Sequence, residues 1–313
     1  MPAKWLTIDK DRVGQRLDNF LQTTLKKIPK SRIYRAIRKG EVRVNKGRVA
    51  ASYRLREGDS VRIPPLVVPE KAIAPAPALS LRRWIESSIV YENQDLIVLD
   101  KPSGVPVHAG SGSSFGVQEV MSELRPKAAC LELVHRLDKG TSGCLLLAKK
   151  RSVLRYLQQQ FRERSVRKCY FALVKGRWAG GKKRVTLPLL KKEHLGGGRL
   201  VVVDPVNGKD AISVFRPVRH YRRATLMMVA IETGRTHQIR VHAQQLGHPI
   251  AGDDKYGDDD FNTWVRGLGL PGLFLHSANL SFRPPSGPEA VTQFSGIGVP
   301  MGQTLRRVLS KLD

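Results

Sequence analysis

Leu17, Phe20, Leu21 and Leu25 recur at i, i+3, i+4 and i+8, the stripe of a helix lying on a core, so the spacing predicts a first helix between Gly14 and Leu25. Pro29 breaks it, Ser31 can cap a second helix, and Gly40 can supply that helix's left-handed stop. In the second helix Ile33 and Ile37 face inward, while Arg32, Arg35 and Lys39 form a cationic stripe. The chain from Glu41 to Asn45, a tight turn at Lys46 and Gly47, and the stretch from Arg48 to Val61 and Ile63 alternate like short strands. Residues 65–84 interleave Pro65, Pro69, Pro75 and Pro77 with alanines, which predicts an extended, semi-stiff tether. Beyond it, Ile89 to Val98 and Leu131 to His135 read as strands, and Gly143 to Lys149 as a buried one. Val153, Leu154, Leu157 and Phe161 predict a helix behind a Ser152 cap, followed by a strand from Lys168 to Lys175. Gly196 to Gly198 reads as a hairpin tip, because it lacks the strand-to-helix framing and Lys-Ser/Thr pair of a phosphate-binding loop. The expectation is an α+β chain with a small unit at 12–64, a tether at 65–84 and a larger domain at 85–313 built on a mixed sheet.

Composition narrows the function. With 41% hydrophobic residues and only short apolar runs such as Cys144 to Ala148, the chain reads as globular, and no segment suits a bilayer. Met1 to Lys10 lacks a basic end followed by an apolar core, so a cytoplasmic protein is expected. Cys130, Cys144 and Cys169 are widely spaced, with no C-x-x-C pair, and read as reduced core residues; no metal site is expected. The 54 Lys and Arg outnumber the 27 Asp and Glu, giving +27 and a pI near 10.5, which points to a polyanionic partner, nucleic acid above all. The charge is concentrated: Lys10 to Arg62 holds sixteen basic residues against five acidic ones.

Motifs then supply chemistry. R-L-D-N-F-L at Arg16 to Leu21, P-K-S-R-I-Y-R-A-I-R-K-G-E-V-R-V-N at Pro29 to Asn45, and Gly58-Asp59 resemble the S4-like RNA-binding domain. That resemblance implies phosphate contacts from its second helix and hairpin, with Arg16, Lys30, Arg32, Arg35, Lys39, Arg43 and Lys46 as candidates. His135 to Gly143, H-R-L-D-K-G-T-S-G, is a polar loop between two apolar strands with Asp138 at its head. On residue types alone, an Asx-type turn would explain it equally well. It is accompanied by K-P-S-G-V-P-V-H at Lys101 to His108, R-K-C-Y-F-A-L-V-K-G at Arg167 to Gly176, G-R-T-H-Q-I-R-V-H at Gly234 to His242 and G-H-P-I-A-G-D-D-K-Y-G at Gly247 to Gly257. These ordered blocks, spanning essentially the whole chain, are similar to the pseudouridine synthases that act on the large ribosomal subunit. Gly140, where that family leads one to expect an acidic residue, and the basic excess of residues 182–199 are departures that bear on RNA fit.

The resemblance implies a catalytic fold around a mixed, largely antiparallel sheet, and 23S RNA or a large-subunit precursor as substrate; the protein is expected to be a monomer. Making pseudouridine breaks the bond from ribose to N1, turns the uracil and rejoins it through C5, with no oxidation and no added atoms, so no cofactor is expected. A carboxylate can act as nucleophile at the anomeric carbon or as base toward the ribose 2′ proton, and Asp138 is the candidate either way. A sugar hydrolase would call for a second carboxylate, whereas an isomerase must keep its detached base and exclude water. By resemblance Arg240 is the guanidinium partner of Asp138, Tyr170 stacks on the target base, and Arg136 helps displace the nucleotide. Lys101, Lys168 and Arg235 are expected to shape the pocket or meet phosphates, and Ile239 to pack beneath the base. Alternatives for Arg235, Arg240 and His242 are solvent-facing positions of a half-buried strand; Tyr170 could be an ordinary core residue. Two rival functions are a non-catalytic ribosome assembly factor and another RNA-modifying enzyme, such as a methyltransferase, on the same binding domain; the latter lacks the glycine-rich cofactor loop it would need.

Overall fold

The computed structural model describes residues 3–25, 28–65, 77–109, 113–128, 130–193, 199–285 and 295–312. The chain divides into two compact units, Met1–Ala76 and Pro77–Asp313.

The first unit contains β1 (Lys4–Thr7), α1 (Leu17–Thr24), α2 (Lys30–Arg38), β2 (Arg43–Val44) and β3 (Ser60–Ile63), with the strands in the order β1-β3-β2. It therefore begins before residue 12, since Lys4 to Thr7 pairs with Ile63 to Ser60. Leu17, Phe20 and Leu21 of α1 and Ile33, Ala36 and Ile37 of α2 close on Val44, Val61 and Ile63, so both helical stripes bury as their spacing requires. Two local details differ from expectation. α2 starts at Lys30 behind Pro29, one residue before Ser31, which makes no capping bond. The tight turn forms at Asn45 and Lys46, both left-handed (φ 50° and 67°), and Val44 exchanges both backbone hydrogen bonds with Gly47; the pairing stops there, and Arg43–Val44 pair instead with Ser60–Ile63. Gly40, at φ 69°, ends α2 as predicted.

Of the expected tether, residues 66–76 lie outside the described residues, and its last part is helical, since α3 covers Leu79–Ser87. The second unit continues with β4 (Ile89–Glu92), β5 (Leu96–Lys101), α4 (Val117–Leu124), β6 (Glu132–Leu133), β7 (Ser142–Ala148), α5 (Arg151–Arg162), β8 (Arg167–Lys175) and β9 (Lys183–Thr186). After them come β10 (Leu189–Glu193), β11 (Arg199–Val203), β12 (Ile212–His220), β13 (Ala224–Ile231), α6 (Gln238–Gln245), α7 (Asp259–Gly267), β14 (Leu275–Phe282), β15 (Ser295–Gly298) and α8 (Gln303–Leu309). Ile89 to Val98 is thus a hairpin and not one strand: the Asn93 side chain accepts from Asp95 and Leu96 N–H and folds the chain back. β10 and β11 form a separate antiparallel pair, and Gly196 to Gly198 between them lies outside the described residues.

Among the described residues, the main sheet has ten strands, with the path β4-β5-β7-β14-β8-β13-β12-β9, β15 beside β14 and β6 beside β7. The pairing of β7 with β14 is parallel and the others are antiparallel, giving an α+β fold on a mixed, largely antiparallel sheet. Alternate residues serve opposite faces. Ile97, Leu99, Leu145 and Leu147 pack toward α4 and α6, while Leu96, Val98, Cys144 and Leu146 pack toward α5. Covering both faces explains why Cys144 to Ala148 is an unbroken apolar run. Farther along, Leu173 and Leu226 pack on Phe261 and Val265 of α7 and Val308 of α8.

Candidate active site

Asp138 stands at the head of the loop between β6 and β7, half-buried, in a cleft also lined by Arg136, Thr141, Tyr170, Ile231, Gly234 to Arg240 and Leu275. The loop is pinned from beneath. Lys101 is fully buried, and its Nζ donates to the carbonyls of Pro102 (2.8 Å), Val105 (2.8 Å) and Lys139 (3.2 Å). Burial pulls this amine down to about 7, opposed by the charges of Asp138 and Asp100, and the three accepting carbonyls favour the ammonium. Gly104 N–H donates to the Lys139 carbonyl at 2.9 Å, Ser103 Oγ to that of Gly140 at 2.7 Å, and Thr141 N–H to that of Asp138 at 3.1 Å. Gly143 closes the loop at φ 103°, and a Cβ there would collide with the Ser277 backbone on β14.

Tyr170 comes from β8, between Val229 of β13 and Ser277 of β14, and is 7% exposed at the cleft floor beside Ile231, Ile239 and Leu275. Burial pushes its phenol far above the ordinary value; the Ser277 hydroxyl opposes the shift and the charge of Asp138 adds to it.

The wall opposite is the turn into α6. Gln238 fixes it: its Oε1 accepts from Thr233 Oγ1 and Arg235 N–H, and its Nε2 donates to the Ile212 carbonyl and Ser213 Oγ. His237, left-handed at φ 54°, precedes the helix and sets Nε2 3.9 Å from Asp138 Oδ2, with Nδ1 2.8 Å from the Tyr256 hydroxyl. Burial lowers its pKa from the ordinary value, and Asp138 partly restores it. Arg240 and His242 are buried on α6, so the strand alternative for this segment fails. Arg240 faces Asp138 only across space, without a hydrogen bond between them. Its Nε and Nη2 grip Asp253 at 2.7 and 2.5 Å, Nη2 also reaches Asp254 at 2.9 Å, and the guanidinium lies over Tyr256. Burial pulls Arg240 down, but Asp253, with Asp138 and Asp254 acting across space, leaves it raised. A fork needs both oxygens of one carboxylate in plane, and Asp253, held by Lys255 and Tyr256 N–H, presents them.

Arg136, Lys168 and Arg235 line one groove that continues the cleft and includes His135, Phe161, Arg162 and Arg164. Lys168 is largely buried, its ammonium over the Phe161 ring, and burial lowers its pKa. Lys101, by contrast, cannot meet phosphates, being 0% exposed and spent on carbonyls. A side chain at Gly140 would press on Leu273, in a hollow that Asp138, His237 and Arg240 also line. In the first unit Arg16, Arg35, Lys39, Arg43 and Lys46 are exposed; Arg16 is bonded to Asp18 at 2.7 Å, Arg32 to Glu41 at 2.8 Å, and Arg43 to the carbonyls of Gly40 and Lys46. The Lys30 side chain lies outside the described residues. Sequence reasoning missed His237 and Asp253. Both sit inside the quoted motif blocks, but their roles come from neighbours in space, Asp138 and Tyr256 for His237 and Arg240 for Asp253, which sequence does not mark.

One carboxylate over a buried aromatic floor opens into a cationic groove, an arrangement suited to an enzyme that takes one base of a polyanionic chain. The chain belongs to the RNA pseudouridylate synthase family, whose description matches residues 95–245, and carries an S4 domain at residues 15–61. It is 51% identical to the ribosomal large subunit pseudouridine synthase C of Vibrio parahaemolyticus, covering 98% of this chain and 96% of that one. It is 50% identical to that of Escherichia coli K12, covering 99% and 97%. The solved human RNA pseudouridylate synthase domain containing 1 aligns with a TM-score of 0.56 at 25% identity over 68% of this chain and 83% of its own. The human domain containing 4 aligns at 0.60 and 24% identity over 74% and 95%. The protein is thus a pseudouridine synthase, and the non-catalytic reading falls away.

Proposed function

We propose that the protein converts several uridines of large-subunit 23S RNA to pseudouridine, with Asp138 as its catalytic carboxylate. The observation that carries this is Asp138 itself, held by a pinned loop above Tyr170 and beside His237 in a cleft walled by Ile231, Ile239 and Leu275. A uridine swung out of its helix stacks on Tyr170, an aromatic contact worth roughly 1–3 kcal/mol that replaces its lost neighbours. Asp138 then acts on the sugar, either at the anomeric carbon or at the 2′ proton, and the apolar wall keeps water from the detached uracil while it turns. Arg136, Lys168 and Arg235 hold the flanking phosphates, and the S4 domain adds sequence-independent charge. The protein works as a cytoplasmic monomer and draws on no cofactor.

The test uses unmodified 23S and 16S RNA incubated with the purified protein. Pseudouridine is quantified by nucleoside chromatography and mapped by carbodiimide-dependent stops in reverse transcription. Stops at more than one position in 23S RNA and none in 16S RNA are expected; modification confined to 16S RNA would overturn the substrate.

A further inference from the structure

We propose that the far rim of the catalytic sheet, where β12 turns into β13, is a second phosphate-contact surface for the same large RNA. The inference rests on the substrate being a structured ribosomal RNA. Ile231 lines the Asp138 cleft and Ala224 lies at the other end of β13, so seven residues, about 23 Å of extended strand, separate rim from cleft.

The sequence from Phe215 to Ala224 contains four arginines and a histidine without a carboxylate, and no acidic residue occurs between Glu163 and Glu193. The fold puts these two runs side by side. Lys183 pairs with Phe215, Gly176 N–H donates to the Arg223 carbonyl at 2.8 Å, and Trp178 N–H donates to Thr225 Oγ1 at 3.0 Å. Lys182, Lys183, Arg216, Arg219, Arg222 and Arg223 are all exposed along this rim. β9 begins opposite Phe215, and among the described residues no strand pairs with the outer side of β12 from Arg216 onward, where a bulge between Pro217 and Arg219 bends it.

Two of the arginines are preset. The Arg219 guanidinium lies 5.1 Å from the Tyr221 ring centre and that of Arg223 4.7 Å from Trp264. Stacking fixes the plane of a guanidinium, so less rotamer freedom is lost when its N–H edge meets phosphate. The nearest acidic run on a packed element is Asp258 to Asp260 at the start of α7, and Asp258 is bonded to Lys175 at 2.5 Å. A charged edge also discourages strand pairing between molecules, but single lysines achieve that, and stacked arginines are not required for it.

The test compares the protein with a Lys182→Gln/Lys183→Gln/Arg222→Gln variant on a long unmodified 23S fragment and on a short stem-loop carrying one unmodified target uridine. A control variant, Arg83→Gln/Lys127→Gln/Arg155→Gln, removes equal charge elsewhere on the same unit. On the long RNA, the rim variant is expected to raise KM about tenfold and to lower the slope of log affinity against log salt by about 2, each lost phosphate contact being worth roughly 0.7–0.9. kcat on both RNAs, and KM on the stem-loop, stay unchanged. Equal KM for variant and parent on the long RNA overturns the proposal, as does an equal loss on the stem-loop or in the control variant. Aggregation of the rim variant with unaltered RNA affinity assigns the charges to edge protection instead. If the parent protein forms no pseudouridine in either RNA, it is the substrate reading that has failed.

Discussion

At Lys101 a cation has been taken wholly inside the protein, and three carbonyl oxygens receive it. Its job is to tie the Pro102–Val105 segment to Lys139, next to Asp138. Lys101→Met is therefore expected to cut kcat at least tenfold while KM and salt dependence hold; a phosphate ligand would show the reverse, a raised KM and a shallower salt slope. Arg240 poses the complementary case. Burial pushes Asp253 up, yet the hydrogen bonds and charge of Arg240 and the N–H groups of Lys255 and Tyr256 leave it below the ordinary value. Asp253→Asn leaves a buried guanidinium half-matched and should cost about 3–5 kcal/mol in urea unfolding; a loss under about 1 kcal/mol would mean that the pair does not hold α6. For Tyr170, Phe keeps the ring and Leu does not, so Tyr170→Phe should retain RNA affinity and Tyr170→Leu weaken it, as steady-state KM reports. That Asp138 and Tyr170 share one cleft could be expected from their motif blocks. The pairing of Arg240 could not, because bidentate geometry depends on where Asp253 is fixed in space, and Lys101 was misread because a charge in sequence carries no mark of the carbonyls that will surround it.

Elements were legible where one face is wet. α5 alternates buried Val153, Leu154 and Leu157 with exposed Arg155 and Tyr156, and its helical period could be counted. α6 could not, since Gln238 to Ala243 are all buried and a helix enclosed on every side has no stripe. α3 hid for the opposite reason: Ile85 is its one buried residue, Leu79 and Trp84 are 70% and 49% exposed, and the prolines before it suggested a tether. The β6-to-β7 connection carries a pH signature. His135 Nε2 accepts from Leu146 N–H at 3.2 Å, and the ring stacks on Phe161, an arrangement for neutral imidazole. Burial, helped by the Lys168 charge and opposed by a backbone bond at Arg136, lowers its pKa to about 4. Between the ordinary value of 6.5 and about 4 the unfolded chain binds a proton that the folded chain declines, so stability falls as pH drops through that window. Urea unfolding at both ends of the window should show this loss, and His135→Gln should reduce it; an unchanged pH slope in the variant would remove His135 as the cause.

On the scale of the whole molecule, the excess of 54 basic over 27 acidic residues is organised into separate surfaces. The S4 domain exposes Arg35, Lys39 and Lys46, and replacing all three by Gln should lower the salt slope of RNA affinity by about 2 without changing kcat. The second unit keeps its own cations around the Asp138 cleft, where Arg136 and Arg235 lie beside the carboxylate proposed as catalytic. That carboxylate is the centre of the account, and release of tritium from C5-labelled uridine in unmodified 23S RNA tests it most directly, because rejoining through C5 expels the label without cutting the chain. The parent protein is expected to release it and Asp138→Ala, folded to the same melting temperature, to release none. Equal release by the variant would contradict the assignment and move the chemistry to another residue of the cleft.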